Sequence, residues 1–75
     1  SIMKITYDPK IDAMYIKFQG GAFVSNKEVE EGIILDIGKN NAILGIEILE
    51  ARRRLNPKNI SHLDIQIPLP VATAT

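Results

Sequence analysis

This chain of 75 residues contains no cysteine and no tryptophan, and only 5% of its residues are aromatic. Without cysteine, it has no disulfide, no thiolate metal ligand and no thiol nucleophile. It also lacks an excess of either charge, because nine Lys and Arg residues balance nine Asp and Glu residues. A neutral chain has no overall field that would attract nucleic acid or an anionic membrane. No apolar run approaches the roughly 20 residues of a membrane span. Neither nucleic acid nor a membrane is therefore an expected partner.

The chain is also short, and its beginning lacks the apolar stretch of a signal peptide, since it reads Ser1-Ile2-Met3-Lys4. We expect a cytoplasmic location. A length of 75 residues predicts one domain over 1–75. One core of this size supplies roughly 3–5 kcal/mol of net stability, so domains of this class often depend on partners.

Isoleucine is the commonest residue, and it recurs in alternation with other side chains. β-branched residues favour strands, and alternation indicates strands with two different faces. The pattern predicts strands over 4–7, 13–18, 22–29, 33–37, 43–48 and 63–67. Good helix formers precede Asn56-Pro57, which predicts one short helix of about two turns near 49–56. We expect an α+β fold: a small antiparallel sheet of five to six strands in a meander, the more polar third strand at an edge, and 68–75 as a loose tail.

Alternation places most of the large apolar side chains on one face of this sheet. The face collects Ile5, Tyr7, Met14, Ile16, Phe18, Ile33, Leu35, Ile37, Leu44, Ile46 and Ile48. One two-turn helix, expected to dock through Leu49, Ala51 or Arg52, and Leu55, cannot cover so many residues. Exposed apolar patches of this size usually mark interaction sites. We therefore predict a homodimer or a higher homo-oligomer. The alternative is a strongly curved sheet that closes as a half-barrel and needs no partner.

Three polar side chains share the opposite face by the same alternation: Tyr15, Asp36 and Glu47. Paired carboxylates with different pKa values could perform acid–base chemistry. The simpler interpretation is that the carboxylates pair with Lys17 or with arginines of the helix. No nucleophile or cofactor motif lies nearby, so we treat this group as a ligand or interaction candidate and expect no catalytic residue.

Three consecutive arginines, Arg52, Arg53 and Arg54, form the sharpest basic feature. Adjacent residues on a helix are separated by ~100°, so the three side chains spread around its surface. A nucleic-acid interface needs charge that converges on one face. We expect ion pairs with Glu47, Glu50 or a neighbouring subunit, and keep a phosphate contact as the alternative.

The remaining polar and glycine positions have structural explanations. Asp8 precedes Pro9, where it can accept backbone N–H groups, and Asp12 can cap the same turn. These carboxylates could also bind a hard cation, but no calcium-loop pattern is present, and we expect neither a metal nor a cofactor. Gly32 and Gly45 are interpreted as structural positions. The single histidine, His62, is interpreted as a surface residue.

Three ordered blocks resemble the DUF2283 family of small prokaryotic proteins of unknown function. The blocks are Tyr7-Asp8-Pro9-x-x-Asp12-Ala13-x-Tyr15-Ile16, Glu30-x-Gly32-Ile33-Ile34-Leu35-Asp36 and Gly45-Ile46-Glu47-Ile48-Leu49-x-Ala51. The resemblance implies no catalytic activity. Because some members are encoded beside small putative toxins, it implies an antitoxin-like role with a protein partner as a secondary hypothesis.

We therefore predict an uncharacterised, self-associating interaction module without catalytic activity. The alternatives are an antitoxin-like partner that contacts nucleic acid through the arginine helix, and a small-ligand or metal-binding enzyme that uses carboxylates.

Overall fold

The computed structural model describes residues 2–56 and 64–67, in which five strands and one short helix follow one another along the chain. The elements are β1 (Lys4–Asp8), β2 (Ala13–Lys17), β3 (Phe23–Glu30), β4 (Ile33–Gly38), a 3-10 turn (Lys39–Asn41), β5 (Ile43–Leu49) and α1 (Ala51–Arg54). No helix among these residues is long and apolar enough to cross a membrane.

The five strands form one open antiparallel sheet in the order β1-β2-β5-β4-β3. The predicted antiparallel sheet with one short helix is confirmed. In a meander each strand pairs with the next one along the chain. The whole sheet is not a meander, because β2 pairs with β5 and not with β3. This order places the most apolar strands in the interior and leaves β1 and the polar β3 at the edges. The predicted edge position of the third strand is therefore confirmed.

The sixth predicted strand and the helix require correction. Residues 64–67 have no regular secondary structure and are exposed, while Leu63 and the predicted tail at 68–75 lie outside the described residues. The helix is one turn and not two, and it begins after Glu50, whose left-handed conformation (φ 52°) turns the chain out of β5. A helix this short is not stable by itself, so only its anchors at the end of the sheet define it.

Strand register assigns each side chain to a face. In the register, Ile46 lies between Ile16 of β2 and Leu35 of β4. Alternation from these positions defines the apolar face. The edge strand β3 places Ser25, Lys27 and Glu30 on it, opposite Ile37, Leu35 and Ile33. The other four strands place nine residues there: Ile5, Tyr7, Met14, Ile16, Ile33, Leu35, Ile37, Ile46 and Ile48. None of these nine residues is charged. All nine belong to the apolar set predicted from alternation.

Very little of the apolar surface is buried within one chain. Among the described residues, the buried hydrophobic side chains are Ala13, Leu44 and Ala51. Leu44 occupies an irregularity in the β4–β5 pairing and packs under the loop glycines Gly21 and Gly38. The nine residues of the apolar face are half-buried or exposed. The sheet therefore has an open apolar side.

Candidate functional site

The polar face brings Tyr15, Asp36 and Glu47 together on three adjacent strands. Tyr15 lies opposite Glu47 in the β2–β5 register, and Glu47 lies opposite Ile34, two residues before Asp36. The Tyr15 hydroxyl donates a hydrogen bond of 2.8 Å to Oδ2 of Asp36, reaching across β5. The proximity expected from alternation is therefore present, but the partner of Asp36 is a tyrosine and not a lysine or arginine.

Gly45 makes this reach possible. It lies on β5 between Lys17 and Asp36 in the register, directly under the Tyr15 ring. A Cβ at this position would lie 2.5 Å from Cζ of Tyr15 and 2.8 Å from the Ile16 carbonyl oxygen, and it would also clash with the Tyr15 hydroxyl. A glycine inside a strand pattern indicates such a close approach, so the sequence carried a signal for this contact.

The chemistry of Tyr15 follows from its surroundings. Burial, the hydrogen bond to Asp36 and the nearby carboxylates Asp36 and Glu47 all raise the pKa of Tyr15 above its ordinary value. The phenol therefore stays protonated at neutral pH and acts as a hydrogen-bond donor. A protonated phenol that donates to a carboxylate fixes two strands relative to each other, and it is not a base.

The three arginines point to three different acceptors. Nε of Arg52 lies 3.5 Å from Oδ1 of Asp12. Arg53 pairs with Glu50 at 2.9 Å, and Arg54 donates to the Glu31 carbonyl oxygen at 2.5 Å. The expected ion pair of an arginine with Glu50 is present. The three guanidinium groups are therefore directed at separate acceptors.

Asp12 is the residue whose role the sequence revealed least. It adopts a left-handed conformation (φ 53°) at the end of the β1–β2 turn. Its Oδ1 accepts the Tyr7 hydroxyl at 2.8 Å and the Arg52 amide at 3.1 Å, and its carbonyl accepts the Ala51 amide at 2.9 Å. Asp12 therefore caps α1 and not only its own turn. The spacing of Tyr7 and Asp12 across a tight hairpin was a signal for their hydrogen bond but not for the contact with α1.

The other turn residues behave as structural positions. Oδ1 of Asp8 accepts the Lys10 amide at 2.9 Å, which is the Asx turn expected before Pro9. Gly32 has a positive φ of 81° and donates its amide to Oε2 of Glu28 at 2.9 Å. Within residues 2–56 and 64–67, no group of three or more His, Asp or Glu side chains could hold a metal ion.

The contact between Tyr15 and Gly45 predicts a graded response to substitution. We expect Tyr15→Phe to destabilise the fold by about 0.5–1.5 kcal/mol, because it removes one hydrogen bond and keeps the ring. Gly45→Ala should cost more, since the added methyl group displaces the ring and meets the Ile16 backbone. Urea unfolding measures both changes. If Gly45→Ala costs no more than Tyr15→Phe, the ring does not lie on this glycine.

The cluster around Asp12 predicts a pH dependence at the acid end. The hydrogen bond from Tyr7 is the largest cause that holds the pKa of Asp12 below its ordinary value of 3.8, with the backbone and side chain of Arg52 contributing further. A carboxyl group whose pKa is lower in the folded than in the unfolded state stabilises the fold at pH values above its unfolded-state pKa. This stabilisation is lost as the pH falls through the folded-state pKa.

Asp12→Asn keeps the left-handed preference and the oxygen acceptor but removes the charge. We expect it to be less stable than the wild type at neutral pH and to approach wild-type stability at the acid end. Tyr7→Phe should return the Asp12 pKa towards 3.8 in an NMR titration. An unchanged Asp12 titration in Tyr7→Phe would contradict the assignment.

Comparison with known protein families shows what this chain is similar to. The model of the family described as "Protein of unknown function (DUF2283)" matches residues 4–52. No curated protein and no solved structure matches this chain. The matched segment begins with β1, spans the whole sheet and ends inside α1, so it includes Asp12, Tyr15, Asp36 and Gly45. Since the match covers well over half of the 75 residues, the chain belongs to the DUF2283 family.

Proposed function

We propose that this protein is a self-associating interaction module without catalytic activity, in which the apolar face of one copy packs against that of another. The observation that carries the proposal is the open apolar side of the sheet. Nine apolar residues occupy it, and no large side chain of the described residues is fully buried. Even the central Ile46, with Ile16 and Leu35 on either side, is only half-buried.

A second copy of this chain suits the apolar face better than a charged partner does. On β1, β2, β4 and β5 the face carries no charge and no side-chain hydrogen-bonding group except the Tyr7 hydroxyl, which already bonds Asp12. Its charged members, Lys27 and Glu30, lie on the edge strand β3. Its central strands present Ile, Leu and Met, side chains that interdigitate when two sheets stack about 10 Å apart. This aliphatic surface complements itself, and its burial contributes roughly 25 cal/mol for each Å² removed from water.

The other hypotheses have less support in the described residues. The hydroxyl of Tyr15 and the carboxylate of Asp36 satisfy each other, which favours a structural role for the pair. The arginines are directed at separate acceptors, which gives nucleic acid no converging surface. A protein partner of the antitoxin type, the cytoplasmic location and the prokaryotic origin all stay predictions.

Substitution at the centre of the apolar face tests the proposal. We expect the wild-type chain to show a mass above 8.3 kDa by light scattering at micromolar concentration. Ile46→Thr keeps a β-branched side chain but adds a buried hydroxyl to the proposed contact, so it should weaken association by at least about tenfold.

The matched control is Ile34→Thr, which makes the same change on the polar face of a neighbouring strand. We expect this variant to keep the wild-type mass. Circular dichroism of both variants confirms that the sheet has formed. A monomeric wild-type chain, or equal effects of the two substitutions, would contradict packing through the apolar face.

A further inference from the structure

The edge strand β1 has outward-facing backbone groups, and their identity follows from the hydrogen-bond pattern. The Phe18 amide donates to the Leu44 carbonyl oxygen at 2.8 Å. The backbone amide and carbonyl groups of successive residues point alternately to the two neighbouring strands. Met14 and Ile16 therefore also bond towards β5, while Tyr15 bonds towards Thr6 of β1.

Within β1, Lys4, Thr6 and Asp8 therefore direct their amides and carbonyls towards β2. The backbone groups of Ile5 and Tyr7 face away from the sheet. In the described part of the chain, β1 has β2 as its single neighbouring strand. Two amides and two carbonyls, spaced as in an antiparallel ladder, line this edge.

The sequence of β1 is complementary to itself when two copies run antiparallel. With Thr6 opposite Thr6 of the second copy, Ile5 lies opposite Tyr7, and Lys4 lies opposite Asp8. Each of these pairs occurs twice, once on each side of the two-fold axis. The outward groups of Ile5 and Tyr7 then meet each other, giving four backbone hydrogen bonds. The ladder includes two opposite-charge pairs and no like-charge pair.

Other registers are less favourable. The outward groups keep their hydrogen-bonding phase only if the register shifts by two residues at a time. One such shift places Lys4 opposite Lys10 and brings Pro9, which has no amide hydrogen, into the ladder. The shift in the other direction places Lys4 opposite Thr6 and loses both charge pairs. Of these three registers, the self-complementary one is therefore the one that places Lys4 opposite Asp8.

A second observation on the same strand favours this partner. Within the chain, Lys4 lies directly opposite Lys17 of β2, and like charges in this arrangement repel. In the self-complementary register, Asp8 of the second copy lies on the other side of Lys4. The carboxylate would offset a repulsion that a single chain leaves in place.

The opposite edge lacks these properties. The β3 strand has register irregularities between Phe23 and Ser25 and between Glu28 and Glu30. Bulges and charged side chains are the usual protection of an edge against pairing. Only β1 combines a regular ladder with charge complementarity.

We propose that β1 pairs with β1 of a second copy about a two-fold axis at Thr6, which joins two five-stranded sheets into one of ten strands. This inference rests on the proposed self-association and adds a second contact to it, distinct from the apolar face. The two contacts together generate a tetramer with two-fold symmetry, in which edge-paired sheets stack through their apolar faces.

Two charge-reversal variants test the edge contact. Lys4→Asp places two carboxylates opposite each other across the axis, and Asp8→Lys does the same with two ammonium groups. We expect each variant alone to lose edge pairing, with dissociation constants raised at least about tenfold. A mixture of the two should restore pairing as a one-to-one heterodimer of sheets, because every carboxylate at these two positions in one variant then lies opposite an ammonium group of the other. Lys39→Asp, the same charge change in the exposed turn between β4 and β5, is the control and should keep the wild-type mass.

Folding of the variants is measured separately by circular dichroism, because Asp8→Lys also removes the acceptor of the Lys10 amide. Lys4→Asp replaces a like-charge pair with an opposite-charge pair against Lys17, so it should not destabilise the single chain. A loss of mass in this variant therefore reports association and not unfolding. An independent readout comes from Thr6→Cys in this cysteine-free chain, since Cα atoms of a non-hydrogen-bonded pair lie about 4.5 Å apart, within disulfide range. Asn26→Cys, on the polar face of β3 opposite Asp36, is its control.

The outcomes separate the two proposals. Loss of mass in each variant, recovery in the mixture and rapid disulfide formation at position 6 alone support the β1 contact. An oligomer that neither charge reversal affects would overturn the β1 contact and leave packing through the apolar face intact. A wild-type chain that is monomeric at micromolar concentration would overturn both proposals.

Discussion

The position of β5 between β2 and β4 is the constraint on which the rest of the structure depends. It aligns Ile16, Ile46 and Leu35 and thereby makes one face of the sheet continuously apolar across the three central strands. On the other face, the same alignment brings Tyr15 across Gly45 to Asp36. A polar bond of this kind specifies register, because a slip of one residue would move Tyr15 to the apolar face.

The end of β5 depends on a second, local constraint. The chain leaves the sheet through the left-handed Glu50, and α1 is then anchored by two turns that are far away in sequence. Asp12 binds the start of α1 from the β1–β2 turn, and Arg54 reaches the Glu31 carbonyl from its other end. The role of α1 is therefore to connect the two hairpins at one end of the sheet. One turn is enough for this connection.

The sequence predicted the strands well and their order poorly, for a physical reason. Alternation is a local property, so the positions of five strands and nine residues of the apolar face could be identified from it, whereas the irregularity at Leu44 could not. Alternation does not determine which strand lies beside which, since several antiparallel orders keep the same side chains on the same face. The pairing of β2 with β5 is a long-range choice that no local pattern encodes. Helix propensity was also weak evidence for the length of the helix, because a run of good helix formers formed only one turn.

The candidate site likewise has local features, which the sequence predicted, and long-range contacts, which it did not. Tyr15, Asp36 and Glu47 could be placed on one face from alternation, whereas the bond between Tyr15 and Asp36 required the strand order. The capping role of Asp12 could not be predicted, because it joins positions 40 residues apart. Gly45 carried a readable signal: a glycine in an otherwise regular strand leaves space, and here Tyr15 fills it.

Folding and association are not independent in a chain of this construction. A sheet whose buried apolar side chains are two alanines and one leucine, among the residues described, gains little hydrophobic stabilisation alone. Any surface that binds only the folded chain adds to its stability by mass action, so contacts between copies would stabilise each fold as well as join it to another.

The two proposed contacts would stabilise the folded chain by different means. Packing through the apolar face supplies the hydrophobic term, which is large but has little directional preference. Pairing along β1 supplies backbone hydrogen bonds and charge pairs, which are weaker but fix a single register. The apolar face would therefore determine how tightly copies associate, and β1 would determine their geometry.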